Sequence, residues 1–248
     1  MTKYAAFGAE LKVGVRQVET ATIVGTVTTT GNATVTITCT GLAGTPLATS
    51  VALLDDDLPH QSAAKMATAL NLVAAITALF TASSNGPDLI LTRITGGANI
   101  ADLNIAYTNN TSAGLTPDAT STSTVAGVAL TKLAAVQKIG GPGLALDTED
   151  VTTHDSAGAF EEVVATILRS GELSMDVVYD PAAATHSATA GLLYYVNNKT
   201  KVIMDILFLG TSNWTFDGYV TGFEPDMDHA GALTAAVTAK ITGQPVLE

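Results

Sequence analysis

The stretch Leu233-Thr234-Ala235-Ala236-Val237-Thr238-Ala239-Lys240-Ile241-Thr242 decides the fold class. Apolar side chains fall at 233, 235, 237, 239 and 241, and mostly polar ones fall between them. A period of two places alternate side chains on opposite faces of a strand, here one face buried and one wet. The same period runs upstream. Leu173, Met175, Val177 and Tyr179 alternate with Glu172, Ser174, Asp176 and Asp180. Val202, Met204, Ile206 and Phe208 share a face, and Trp214, Phe216 and Val220 make another stripe. Between these runs, Thr185–Asn198 reads as a helix that carries Leu192, Leu193, Tyr195 and Val196 and stops at Asn197-Asn198. Near the start, Ala9, Leu11, Val13 and Val15 repeat the strand pattern. The expectation is a mainly β fold: a sandwich or barrel core with one flanking helix.

The segment between these zones, about 21–127, has a different texture, rich in Thr, Ala and Asn. Val35, Ile37 and Cys39 alternate with Thr34, Thr36 and Thr38 as a strand, and Thr30-Gly31-Asn32 reads as a hairpin turn before it. His60–Leu72 reads as a helix, with Ala63, Met66, Ala67, Leu70 and Ala74 on one face. Asp55-Asp56-Asp57 precedes it, where the helix dipole favours negative charge. Strands are expected near Leu89–Ile94 and Leu103–Tyr107, and a loop over Thr108–Thr124. Strands plus a helix suffice for a small α+β domain. The expected division is therefore a discontinuous core of 1–20 and 128–248, with 21–127 inserted in it.

Composition narrows the function. With 248 residues, 47% hydrophobic and 14% charged, the chain can bury a core and is not disordered by composition. A net charge of −12 argues against a protein that grips nucleic-acid phosphates. It suits solubility, or a wall along which a polyanion must slide without sticking. Cys39 is the only cysteine, so an intrachain disulfide is impossible; it reads as a small core residue. Met1–Ala9 lacks the basic and apolar regions of a signal peptide, and the apolar run Leu72–Phe80 is too short to span a bilayer.

Catalytic and ligand-binding patterns are missing, and no cofactor or metal is expected. Gly140-Gly141-Pro142-Gly143 lacks the Lys-Ser/Thr of a phosphate loop and reads as a turn. His60, His154, His186 and His229 show no metal-ligand spacing. His154-Asp155 reads as part of a polar loop, and Asp55-Asp56-Asp57 does not match a calcium loop. Glu161 and Glu162 are adjacent, so on a strand they point apart, unlike a glycosidase pair.

A family resemblance enters on several motifs taken in order. Ile139-Gly140-Gly141-Pro142-Gly143-Leu144, then Leu146-Asp147-Thr148-Glu149-Asp150-Val151-Thr152-Thr153-His154-Asp155-Ser156, resembles the early core of the lambda-like major tail proteins of long-tailed phages. Trp214–Pro225, with Gly218-Tyr219-Val220-Thr221-Gly222-Phe223-Glu224-Pro225, resembles that family's "F-x-G-x-V-x-x-F-x-P" strand, and the closing strand, ending Lys240-Ile241-Thr242-Gly243-Gln244-Pro245, resembles its "I-x-x-T/S-G-x-P" end. Phe7-Gly8-Ala9-Glu10-Leu11 fits its usual start. The resemblance covers about 1–20 and 128–248, and the middle segment departs from it.

The resemblance implies a structural protein that is not an enzyme and belongs to the virion tail, assembled in the host cytoplasm. Hexameric rings of it would stack into the tail tube through which DNA passes. Partners would be further copies of itself, a tape measure and a tail terminator, with no membrane. The inserted domain would project from the outer wall. The apolar loop Ala157–Gly171, with Phe160, Val163, Val164, Ile167 and Leu168, is expected to contact a neighbouring subunit. Asp176, Asp180 and Asp205 are candidates for a lumen-facing acidic surface. The rival classes are an extracellular adhesin-like β module, which the Asn-x-Thr sequons fit loosely, and the tube protein of a secretion system.

Overall fold

The computed structural model describes residues 8–154, 158, 160–208, 212–227, 229 and 231–247. Phe7, Asp155 and Ser156 of the quoted motifs lie outside the described residues. The fold is mainly β, with few helices, in keeping with the sequence pattern. Among the described residues, no helix is long and apolar enough to cross a membrane.

The chain divides into two compact units, Met1–Val13 with Leu130–Glu248, and Gly14–Ala129. The strands in chain order are β1 (Glu10–Val15), β2 (Val18–Thr22), β3 (Gly31–Thr38), β4 (Leu47–Leu53), β5 (Phe80–Asn85), β6 (Asp88–Arg93), β7 (Asn104–Asn109) and β8 (Thr122–Val125). They continue as β9 (Val128–Lys132), β10 (Val136–Gly140), β11 (Ala145–Asp150), β12 (Val163–Arg169), β13 (Glu172–Val178), β14 (Lys201–Phe208), β15 (Ser212–Asp226) and β16 (Thr234–Leu247). The helices are α1 (Pro59–Leu70), α2 (Ala74–Thr77) and α3 (Leu192–Asn197).

The first unit is built on a curled seven-stranded sheet in the order β10-β13-β16-β15-β14-β1-β9. Its long antiparallel ladders put the predicted apolar positions side by side. Leu173 faces Ala239, Met175 faces Val237 and Val177 faces Ala235. Met204 faces Phe216, and Val220 faces Ala239. All of these are buried. Helix α3 packs against β15 and buries Leu192 and Tyr195. It is shorter than the predicted Thr185–Asn198, because residues before Gly191 form turns instead. His186 sits in those turns, fully buried. Its Nδ1 accepts the Asp180 N–H at 3.2 Å, and its Nε2 lies 3.1 Å from the Ala134 carbonyl. That pair of partners assigns the proton to Nε2. His186 is thus a satisfied core histidine.

The second unit has a four-stranded sheet, β5-β6-β2-β8, and a three-stranded one, β4-β3-β7. Their inward residues meet those of α1 in one core that includes Ile23, Val35, Ile37, Leu53, Met66, Leu70, Phe80, Leu91 and Tyr107. Cys39 is fully buried there, as its place in the alternation predicts. Helix α1 starts with Pro59 in its first turn and with the Gln61 Oε1 accepting the Leu58 N–H at 2.8 Å. It ends at Asn71, whose side chain exchanges two hydrogen bonds with the Ala82 backbone, at 2.8 and 3.0 Å. That clamp separates α1 from α2, so Ala74 leaves the predicted helical face and is exposed.

Asp57 is buried beside α1, where it takes the Leu54 N–H at 2.7 Å and pairs with Lys65. Thr30-Gly31-Asn32 is not a turn, since β3 begins at Gly31. A Cβ on Gly31 would stand 2.4 Å from the Thr111 carbonyl carbon, so this glycine serves the close approach of the backbone that follows β7.

Candidate assembly surface

The expected contact loop turns out to be a strand. Val163–Arg169 forms β12, paired antiparallel with β11 in a two-stranded sheet of its own. Ala145 pairs with Arg169, Leu146 with Leu168, Glu149 with Val164 and Asp150 with Val163, with an irregularity between Leu146 and Thr148. The run Val163-Val164-Ala165-Thr166-Ile167-Leu168 is dense in β-branched residues, which was the available strand signal.

Two glycines make the base of this hairpin. Gly141 has φ of +97°, and a Cβ there would lie 2.4 Å from the Glu172 carbonyl oxygen. Gly171 has φ of +68°, and a Cβ there would lie 2.3 Å from the Gly143 carbonyl oxygen. Both positions need a left-handed backbone and leave no room for a side chain. Gly140-Gly141-Pro142-Gly143 is therefore a chain-crossing element. At the other end, the Glu162 carbonyl accepts the Val151 N–H at 2.9 Å, and the Thr152 hydroxyl accepts the Glu162 N–H at 2.9 Å. Hydrogen bonds from the Thr152 hydroxyl and N–H hold the Asp150 carboxyl below its ordinary range.

No residue of β12 is buried. Phe160, Val163, Val164, Ile167 and Leu168 are between 52 and 76% exposed, and Leu146 is 56% exposed. Residues 164 and 168 lie on one face of the strand and 163 and 167 on the other, so the hairpin carries apolar side chains on both sides. Full burial of one such side chain is worth about 1.5–3 kcal/mol, and an isolated two-stranded hairpin is marginal in water. Among the described residues nothing covers the arm's apolar load. Its polar content is acidic: Asp147, Glu149, Asp150, Glu161 and Glu162 against Arg169, which is bonded to Asp147 at 2.6 Å.

The three candidate acids do not share one surface. Asp180 is exposed and Asp176 partly so. Asp205 is buried and accepts a hydrogen bond from the Thr215 hydroxyl at 3.1 Å, so it belongs to the interior of the sheet. The strand period suggested a wet face at 205, but the centre of β14 is buried on both faces. His154 and His60 are exposed. Among the described residues no group of three or more His, Cys, Asp or Glu converges as a metal site requires.

No family model matches the chain, and no curated protein matches it significantly. Solved structures do. The chain is similar to one from the tail of an empty gene transfer agent particle with C6 symmetry, with 13% identity and a TM-score of 0.42 over 48% of this chain and 86% of that one. It is also similar to a chain of the anti-feeding prophage baseplate, with 14% identity and a TM-score of 0.39 over 46% and 80% of the two chains. A third is a chain of the sheath-tube complex of an extracellular contractile injection system, with 15% identity and a TM-score of 0.37 over 47% and 82%.

Proposed function

We infer that this chain is a structural subunit of a phage or phage-like tail tube, assembled as stacked hexameric rings, with no enzymatic role. The observation that carries the reading is the β11–β12 arm: a hairpin with exposed apolar residues on both faces needs a second protein surface. A neighbouring copy supplies one without any further partner, and head-to-tail contacts that do not close give the open filament a tube requires. The ordered motifs of 139–156, 214–225 and 240–245 support the same reading. The reading rests on this chain's own residues.

In this reading Phe160, Val163, Val164, Ile167 and Leu168 bury against an adjacent subunit. The inserted segment, 21–127, faces outward, because a folded domain would block a lumen that must pass DNA. The excess of acids keeps DNA from adhering to the wall during ejection. Asp176 and Asp180 remain candidates for that lining. A tape measure and a tail terminator would set the length and end of the tube, and the assembled object would sit in the virion tail.

Negative-stain microscopy of the purified full chain, with and without a tail-tip initiator, tests this. Hollow tubes or six-fold rings are expected. A variant carrying Val163→Ser, Val164→Ser, Ile167→Ser and Leu168→Ser should stay monomeric. A wild-type chain that remains a monomer at high concentration even with the initiator would refute the tube reading. Tubes of unchanged stability from the variant would remove only the role of the arm.

A further inference from the structure

The second unit buries a carboxyl group that the tube reading leaves unused. Glu19 is the second residue of β2 and is 3% exposed. Its Oε1 is 2.6 Å from the Ser121 Oγ, and its Oε2 has no hydrogen-bond partner. Ser121 is the centre of a small cluster. Its Oγ accepts the Ile105 N–H at 2.9 Å and lies 3.2 Å from the Asn104 Oδ1. Asn104 in turn accepts the Ser121 N–H at 2.9 Å and donates its side-chain N–H to the Ala119 carbonyl at 2.9 Å.

Among the described residues, burial and the Ser121 hydroxyl set the Glu19 environment. Leu91 of β6 and Ser123 of β8 stand opposite it. The charged and titratable groups of the surrounding elements are committed elsewhere. Asp88 takes the Thr22 hydroxyl, and Arg93 reaches the Ala98 carbonyl. Asp102 takes the Thr40 hydroxyl, and Asp118 binds Thr120. The Tyr107 hydroxyl donates to the Thr22 carbonyl and accepts the Val24 N–H.

Proton counting then separates the two charge states. The cluster has two oxygen–oxygen contacts, Glu19 to Ser121 and Ser121 to Asn104. An ionised Glu19 leaves one hydroxyl proton to serve both, and it leaves a bare anionic oxygen in the core, which is costly. A neutral Glu19 supplies the second proton: its O–H donates to Ser121, and the Ser121 O–H donates to Asn104. Both contacts are then filled and no charge is buried.

We propose that Glu19 is carried as the neutral acid in the folded unit and acts as a pH-sensitive clasp, whose ionisation releases residues 118–125 from β2 and β7. The segment's other ties include hydrogen bonds of Thr124 with Thr20 and Val18, of Asn104 with Ala119 and Ser121, and between the Tyr107 and Asp118 backbones. β8 is an edge strand that pairs only with β2, and 118 is joined to Tyr107 by an isolated bridge. Burial pushes the Glu19 carboxyl above its ordinary range, and the Ser121 hydroxyl offsets this in part. A group with a raised folded pKa gives stability that is complete below its unfolded pKa and lost as pH rises through the folded one. The clasp therefore loosens as pH rises.

Hydrogen exchange on the full chain, read for peptides covering 104–125 and corrected for intrinsic rates, tests it. In the wild type, protection should fall by up to about tenfold per pH unit between the unfolded and the folded pKa, and level off above the folded one. Glu19→Gln mimics the neutral acid and should show a flat profile. Carboxyl carbon NMR of wild-type Glu19 gives a readout that needs no variant, and it should titrate above the normal carboxylate range. Identical profiles in the two proteins, or an ordinary Glu19 titration, would overturn the proposal.

Discussion

The Gly14–Ala129 unit and the β11–β12 arm are opposite solutions to one problem. Both are rich in β-branched and aliphatic side chains. The unit folds two sheets and α1 around those side chains, so that Ile23, Val35, Leu70 and Phe80 lose nearly all contact with water. The arm holds a similar run, Val163–Leu168, in a two-stranded ladder with no buried residue at all. A closed core stabilises its own chain. An uncovered ladder gives its own chain little and gains only when another surface closes over it. Mutations should therefore separate the two by where their cost appears.

The largest cost is expected in the closed core. Phe80 is fully buried at the start of β5. Phe80→Ala should destabilise the unit by about 3–5 kcal/mol, the usual range for deleting a buried aromatic. Urea unfolding followed by circular dichroism will measure this. A loss below about 1 kcal/mol would mean that the core is loosely packed and the contrast with the arm is false.

A smaller cost is expected at Asp57. Burial opposes its ionisation, but the Lys65 ammonium and the Leu54 N–H together hold its carboxyl below the ordinary range. A depressed folded pKa gives stability that is present above the unfolded pKa and lost as pH falls through the folded one. Asp57→Asn should cost about 1–3 kcal/mol at neutral pH and much less in acid. The sign is opposite to that of Glu19, so the unit should be most stable between the two titrations. A thermal scan across pH showing no acid-side loss in the wild type would contradict this.

How much of this was legible follows the same contrast. Strands with one wet face were read from period two: β1, β3, β13 and β16 lie where Leu11, Val35, Met175 and Val237 alternate with polar neighbours. The face of α1 was legible from Ala63 to Leu70. The strand β12 was not, because a ladder exposed on both sides has no inside and so no alternation to read. Asp205 failed for the converse reason, since a strand buried on both sides loses the alternation too. Glu19 was invisible because a buried carboxyl on β2 has the same spacing as an exposed one. Its partner, Ser121, lies 102 residues away in sequence.

A third test acts on the arm itself. Ile167→Ser with Leu168→Ser should leave the unfolding of the monomer within about 0.5 kcal/mol of wild type, as for exposed positions generally. The same substitutions made at buried Ile37 and Leu53 should unfold the chain. Loss of monomer stability from the arm variant would show that the hairpin packs on its own subunit after all.

The smallest effect is expected at the ion pair that ties the arm's two strands. Arg169 donates from Nε and Nη2 to the same Asp147 oxygen, each at 2.6 Å, and both side chains are well exposed. Such a pair is worth less than about 1 kcal/mol in water, because solvent and salt screen it. Arg169→Gln should therefore be nearly silent in the monomer. If a neighbouring subunit closes over the arm, the same pair leaves water, and removing one partner strands a buried carboxylate at a cost of about 3–5 kcal/mol. Measuring Arg169→Gln in monomer and in assembled particles reads the change of surroundings directly. Equal, small effects in both would place this pair at the solvent-exposed rim of any contact.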